Sequence, residues 1–303
     1  MKKIAVIGSL NMDLVITTDR LPNMGETITG KNFSQIPGGK GANQGVACGR
    51  LGGNTRFLGK VGNDSYGNTL IESLKNAGVD TNFIIQDSSE TTGIAMITVC
   101  NGENMIILNP GANGKVTCED IESNIDVLEE ADILMMQLEI PFETVEYIIN
   151  KYKGSKTIIL DPAPFIPLEK ELLKGIDYIT PNEYEAGLLC NINTETEKGI
   201  LEALDALKEI GVKYPIITLG SKGIAFYNGT ENKIMPGFKV NAVDTTAAGD
   251  TFAGAFAVAI SKGEIMENAL LFAQKAAAIA TTKFGAQSSI PSFEEVEKYL
   301  LQI

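Results

Sequence analysis

The segment DILMMQLEIPFETVEYIINKYKGSKTIILDPAP, residues 132–164, decides the fold. Ile133–Leu138 is a short apolar run, the pattern of a strand buried on both faces, and a helix opens near Pro141. Thr157–Leu160 is a second such run and stops at Asp161–Pro162. Strand, helix and strand in this order imply parallel strands joined by a crossover helix. The alternation continues downstream. Tyr178–Thr180 runs into Pro181–Asn182 and a helix, Glu195–Ile210 is helical, and Ile216–Leu219 is a further strand. Ile224–Tyr227 and Lys233–Met235 read as a hairpin. Helices over Ala248–Ser261, Met266–Thr282 and Phe293–Leu301 close the chain.

Upstream, Lys3–Gly8 reads as the first buried strand, Gly38–Leu51 as a helix of small residues and Arg56–Val61 as a strand. Tyr66–Ala77 is an amphipathic helix stopped by Gly78. Two segments do not suit a buried parallel sheet. Leu14–Thr18 and Glu26–Phe33 alternate polar and apolar, and Thr92–Cys100 and Glu103–Leu108 flank Asn101–Gly102, a strong hairpin signal. They predict a small sheet standing apart from the main body. The expected fold is therefore α/β, with a mostly parallel central sheet covered on both faces and a small sheet outside it. A chain of 303 residues allows two domains, or equally well one α/β domain with an elaboration, and no linker or repeat is visible.

Composition narrows the chemistry. Thirty-eight acidic residues against 25 basic ones give a net charge of −13, which argues against nucleic acid or an anionic membrane as partner. The chain has no histidine, which removes Ser-His-Asp triads, histidine bases and most zinc enzymes. Its four cysteines are too scattered for a metal knuckle or redox pair and read as reduced thiols. No apolar run reaches the length of a membrane span. The apolar start, Ile4–Ile7, is broken at Gly8 and reads as a strand rather than a leader, so a cytoplasmic location is expected.

Neither G-x-x-x-x-G-K-[ST] nor G-x-G-x-x-G occurs. The sharpest motif is Asp244-Thr245-Thr246-Ala247-Ala248-Gly249-Asp250-Thr251-Phe252. A turn of small residues feeds a helix there, so backbone N–H groups and the helix dipole can meet an anion, with Asp250 in the first turn. An ordinary helix start with an acidic first turn would look similar, but does not account for two aspartates six apart around small residues. Pro37-Gly38-Gly39-Lys40-Gly41-Ala42-Asn43-Gln44 lets a small polar ligand touch backbone, or is a flexible loop before a helix. Asn11 and Asp13 follow the first strand two apart, on one face of extended chain, suiting neighbouring hydroxyls or an Asx turn. Asn182 and Glu185 satisfy a capping box. Glu139 ends a strand.

Together GSLNMD (8–13), PGGKGANQ (37–44), TPNEYE (180–185), TLGSKG (218–223), DTTAAGDTF (244–252) and GAQSS (285–289), in this order, resemble the carbohydrate kinase family named for the minor bacterial phosphofructokinase, in its ribokinase branch. The resemblance spans nearly the whole chain. It implies a single domain over 1–303, a Rossmann-like three-layer body with a small β-sheet lid, here about 12–37 and 91–109, and ATP-dependent phosphorylation of a sugar hydroxyl. It gives Asp250 the role of base and Ala247, Ala248 and Gly249 that of anion hole. Asn11, Asp13, Gly39, Lys40, Asn43 and Glu139 would hold the sugar together with Asp250. Asn182, Thr218, Leu219, Gly220, Ser221, Lys222, Gly223, Gly249 and Gln274 would border ATP, with Glu185 placing Mg²⁺ through water. Potassium would be held by Asp244, Thr246, Ala280, Lys283, Gly285 and Ser289.

The resemblance further implies phosphorylation of D-ribose at O5 and a homodimer packed through the lid, with Ile16, Ile28, Ile94 and Met96 as candidate contacts. Another pentose or a nucleoside is the alternative within the class, and a non-catalytic sugar-binding protein the alternative outside it. A nucleoside base needs an apolar or aromatic surface. The small sheet offers mainly Ala95 and Ile97 on one face, with Phe33 its only aromatic, which favours a bare sugar. A loose phosphoryl-transfer transition state needs positioning and charge stabilisation more than a strong base, so an aspartate suffices where histidine is absent.

Overall fold

The computed structural model describes residues 1–101 and 103–299. Gly102 of the expected hairpin turn and Leu300–Leu301 of the expected last helix lie outside the described residues. In chain order the strands are β1 (Lys3–Ile7), β2 (Asn11–Thr18), β3 (Phe33–Gly38), β4 (Asn54–Gly62), β5 (Asp80–Asp87), β6 (Gly93–Cys100), β7 (Glu103–Asn109), β8 (Ile133–Met136), β9 (Thr157–Leu160), β10 (Tyr178–Ile179), β11 (Tyr214–Thr218), β12 (Gly223–Tyr227) and β13 (Asn232–Pro236).

The larger sheet has the order β13-β12-β11-β10-β9-β8-β1-β4-β5. Its strands from β11 to β5 are parallel, and β12 and β13 form an antiparallel hairpin on one edge. Strand β1 shows why the sheet is covered on both faces. Ile4 and Val6 enter one apolar core, while Ala5 and Ile7 enter the other. The first core is closed by helices Lys40–Arg50, Ser65–Asn76, Ala248–Ser261 and Met266–Thr281. The second includes Val145, Ile148 and Ile149 of helix Phe142–Tyr152 and Leu207 of helix Glu197–Ile210.

Strand order reverses at β1, which pairs with β4 on one side and β8 on the other. Such a reversal opens a crevice at the carboxyl ends of the strands. That edge carries Asn11 after β1, Glu139 after β8, Asp161 after β9 and Asn182 after β10. Helices Lys40–Arg50 and Ala248–Ser261 cross nearby in close contact. A Cβ added at Gly254 would sit 2.6 Å from Ala47 Cβ, so glycine lets the two helices approach. They bring Asn43 and Asp250 together.

The small sheet stands apart with the order β3-β2-β6-β7. One expectation is corrected: the partner of β2 is Phe33–Gly38, not Glu26–Phe33. Six rungs, from Asn11 opposite Gly38 to Ile16 opposite Phe33, fix that pairing, and Glu26–Gly30 belongs to the long connection. Strand β5, not anticipated, is the other edge of the main sheet. The described part of the last helix, Phe293–Lys298, ends before Tyr299.

Candidate active site

Two cavities meet at the segment 242–250. One, of about 700 Å³, lies between the small sheet and the crevice. Asn11, Asp13, Gly39, Lys40, Asn43, Glu139 and Asp250 line its floor, which brings all the residues expected to hold the sugar into one place. The other, of about 450 Å³, is lined by Thr218, Gly220, Ser221, Gly223, Gln274, Ala248 and Gly249 of the expected nucleotide residues. Ala242 and Thr245 border both cavities.

The floor is a connected hydrogen-bond network. Asn43 Nδ2 donates to Asp250 Oδ2 at 2.8 Å. Gln44 Nε2 donates to Asp161 Oδ2 at 2.7 Å and reaches Asp250 Oδ1 at 3.3 Å, while Gln44 Oε1 accepts from Gln137 Nε2 at 2.5 Å. Glu139 Oε2 accepts from Ser9 Oγ at 2.5 Å and from the Lys40 amide at 3.0 Å, which ties β8 to the start of the helix. Asn113 donates to Asn11 Oδ1 at 2.8 Å and also bonds both backbone groups of Leu10. Gly39 has φ 89°, and a Cβ there would lie 2.6 Å from the Asn11 amide, so this position needs glycine twice over. Ser9, Gln44, Asn113, Gln137 and Asp161 were not singled out from the sequence. Asp161 had a usable signal, since it closes β9 beside three other strand ends.

Charges crowd this floor. Burial works against the Lys40 ammonium, but Asp250, Asp161, Glu139 and Glu185 together raise its pKa. Burial pushes the Asp161 carboxyl up to about 7, with Lys40 opposing and Asp250 adding to the rise. Burial likewise raises Glu185.

Helix Ala248–Ser261 starts at Ala247, whose φ of 59° is left-handed and unusual for a residue with a side chain. Ala247 borders the polar cavity and Ala248 and Gly249 the other, and the Ala248 amide donates to Thr245 O at 3.2 Å within the turn. A Cβ added at Gly249 would meet nothing within 4 Å, so packing inside the protein does not demand glycine there.

Other expected residues are placed less directly. Asn182 and Glu185 form a complete capping box, with Glu185 Oε2 accepting from the Asn182 amide at 2.9 Å and Asn182 Oδ1 accepting from the Glu185 amide at 2.8 Å. Leu219 is buried in an apolar cluster and Lys222 pairs with Glu183 at 2.8 Å, and neither they nor Asn182 line the nucleotide-side cavity. The cavity gains Phe238–Val240, a segment not anticipated. Gln274 lines this cavity and is buried, with its Nε2 unpartnered. Asp244 is held low by hydrogen bonds that overcome its partial burial: Oδ1 accepts from the Thr246 amide and hydroxyl, and Oδ2 from the Gly285 amide at 3.0 Å. Asp244 N also bonds Thr281 O, so the two turns are joined. Ala280 O accepts from the Lys283 amide, Ser289 is buried with Oγ donating to Ala286 O, and the Lys283 side chain turns away to Glu295.

The face of the small sheet toward the cavity is more apolar than expected. Val99, Ile106 and Leu108 join Ala95 and Ile97, and Phe284 lines the same cavity. On the opposite face Ile16 and Met96 are exposed, whereas Ile94 packs against the main core.

Asp13 supplies a pH test. Burial, then Glu139 and Asp250, push its carboxyl from 3.8 up to about 7. The folded protein thus keeps a proton that the unfolded chain releases, and stability falls as pH rises from about 4 to about 7. Asp13→Asn removes this penalty. It should be more stable than the parent by about 1–3 kcal/mol near pH 8, and the two should converge as pH falls toward 4. Urea denaturation at both ends of the range measures this; equal stability near pH 8 would show that the carboxyl is not penalised.

The family model described as pfkB family carbohydrate kinase matches residues 1–292. A ribokinase of Bacillus subtilis is 42% identical over 305 residues, covering 99% of this chain and 100% of that protein. The crystal structure of a Thermotoga maritima ribokinase superposes with a TM-score of 0.89 at 42% identity, with 98% of each chain covered. The Arabidopsis thaliana ribokinase complexed with ribose and ATP superposes with a TM-score of 0.91 at 35% identity, again over 98% of each chain. With its β1 crevice, its Asp244–Asp250 turn between two cavities and these matches along its length, the chain belongs to the pfkB family of carbohydrate kinases.

Proposed function

We propose that this protein transfers the γ-phosphoryl group of ATP to the 5-hydroxyl of D-ribose, giving D-ribose 5-phosphate and ADP. The observation that carries the reading is the position of the Asp244–Asp250 turn. Asp250 lies in the polar cavity, and Ala248 and Gly249 border the other. In this reading the sugar sits on Asn11, Asp13, Gly39, Lys40, Asn43 and Glu139. Asp13 accepts from two neighbouring hydroxyls, each a charge-assisted bond of about 1.5–3 kcal/mol. ATP lies along Thr218–Gly223, Gln274 and Asn182.

Asp250 takes the proton of the sugar hydroxyl as that oxygen bonds to the γ-phosphorus and the bond to the ADP oxygen breaks. Asn43 fixes the carboxylate through Oδ2 and Gln44 reaches Oδ1 at 3.3 Å, and the remaining lone pair on each oxygen can accept that proton. The amides of Ala247 and Gly249, and that of Ala248 once it leaves Thr245 O, stabilise charge on the moving phosphoryl group, and Lys40 adds a positive charge nearby. Closing the small sheet over the sugar as a lid would keep water from accepting the phosphoryl group instead. Among the described residues no group of three or more His, Cys, Asp or Glu could hold a metal. That fits Mg²⁺, which keeps waters and binds mainly through phosphates, with Glu185 reached through water. When bound it neutralises charge across the phosphates. ATP consumption and four unpaired cysteines suit the cytoplasm.

An ADP-release assay against ribose, deoxyribose, fructose, adenosine and uridine tests the substrate. Ribose should turn over fastest, and Asp250→Asn should lower kcat for it by at least about 10²-fold with ribose binding kept. Turnover of a nucleoside but not ribose would overturn the reading, and near-parental kcat in the variant would put the base elsewhere.

Potassium is proposed to bridge the two joined turns through Asp244, the carbonyls of Thr246, Ala280, Lys283 and Gly285, and the Ser289 hydroxyl. This all-oxygen donor set, with one carboxylate, suits a weakly hydrated monovalent cation. The ion would stiffen the anion-hole turn without touching substrate. Potassium should activate several-fold over sodium at equal ionic strength, and Asp244→Ala should abolish the difference. Identical rates in potassium, sodium and a bulky organic cation would leave only general screening.

The outer face of the small sheet, with Ile16, Met96 and Met105 exposed, is proposed to pack against a second copy. Light scattering at micromolar concentration should give a dimer; a fully active monomer would refute it.

A further inference from the structure

Phe284 has no part in the chemistry above. Its side chain is 69% exposed, although it borders the polar cavity. Its backbone is nevertheless firmly held. Ser288 Oγ donates to Phe284 O at 3.0 Å, the Gly285 amide is anchored on Asp244, and Arg50 Nη1 donates to Gln287 O and Ile290 O at 2.6 and 2.8 Å. The ring is therefore presented to water by a fixed support.

The same cavity is bordered by β7, the edge strand of the small sheet, every described residue of which is exposed. Ile106 and Leu108 point from it into the same cavity, paired with Ile97 and Ala95 on β6. Apolar side chains of the small sheet and of the Phe284 turn thus line one cleft whose floor is polar. The cleft, at about 700 Å³, is of a size that encloses a drug-sized ligand, far larger than a five-carbon sugar. Water left between such side chains is released favourably when they meet.

We infer that Phe284 is the fixed rim onto which Ile106 and Leu108 of the small sheet close over the sugar. This rests on the sugar kinase reading given above. Closure brings the edge strand to the ring, removes both rims from water and seals the sugar on its polar floor. Phe284 is a positioning residue: its contact exists only in the closed state, so its contribution is felt as sugar affinity. ATP, bound in the other cavity, does not draw on it.

Three proteins decide the matter: the parent, Phe284→Ser and Phe284→Leu. Ribose KM should rise about fivefold or more in Phe284→Ser, the loss of roughly one kilocalorie of apolar contact. KM for ATP should stay within about twofold, and Phe284→Leu should recover most of the ribose affinity because it keeps an apolar rim. Phe284→Ser should also raise the ratio of ATP hydrolysed to sugar phosphorylated, since an unsealed cleft admits water. Ribose KM within twofold of the parent in Phe284→Ser would overturn the inference. So would an equal rise in both KM values, or a leucine variant no better than serine. A parent that turns over no ribose would count against the substrate reading instead, and the same comparison would then be made with the sugar it accepts.

Discussion

The crowding of carboxylates around Lys40 at the carboxyl edge of a parallel sheet governs the rest of this structure. Parallel strands all end on the same side, so side chains that follow β1, β8 and β9 are forced into one small volume. Asp13, Glu139, Asp161 and Asp250 converge there, and the Lys40 charge is held up by three of them and by Glu185. Burial and mutual repulsion leave Asp13 and Asp161 titrating at about 7. Such an arrangement costs stability, and it persists because amides and hydroxyls brace it. Asn43 and Gln44 hold Asp250, Gln137 orients Gln44, and Ser9 holds Glu139. A floor built in this way presents acceptors to a polyhydroxyl ligand without needing to move them, which is where its specificity would come from.

The phosphoryl side follows from a different constraint. Helix Ala248–Ser261 must start at the junction of two cavities, and its start is bought with a left-handed alanine at Ala247. The strain is balanced by packing behind it. Helix Lys40–Arg50 comes close enough that Gly254 has no room for a side chain, so the helix bearing Asp250 and the helix bearing Asn43 form one rigid unit. The segment after helix Met266–Thr281 locks the turn from the other side through Asp244 and Gly285. The proposed anion-binding amides, base and sugar floor are thereby fixed relative to one another by the core.

Much of this was legible in the sequence because it rests on local signals. Thr157–Leu160 is a strand of those residues because a short apolar run ended by Asp-Pro has few alternatives. The turn 244–250 stood out because small residues between two aspartates have little reason to occur in a core. Asn182 and Glu185 could be read as a cap, and they form one. What escaped is what depends on tertiary pairing. Glu26–Phe33 alternates well enough for a strand, but the register of β2 is set from the Gly38 end, where the helix must begin at Lys40. Strand β5 has a mixed burial pattern because it is an edge, so period 2 was obscured. Asp161 and Gln44 acquire meaning only through Asp250, distant in sequence, and Asn113 only through Asn11. Phe284 carries no sequence signal at all, since nothing local shows which cavity it faces.

In the proposed reaction the phosphoryl group passes directly from one cavity to the other, with Asp250 as base and no covalent intermediate on the protein. The stereochemical course at phosphorus tests this most directly. ATP made chiral at the γ-phosphorus with oxygen isotopes would be turned over with ribose, and the configuration of the sugar phosphate determined. A single in-line displacement predicts inversion. Retention would mean two displacements through a phosphorylated side chain, and would contradict the account.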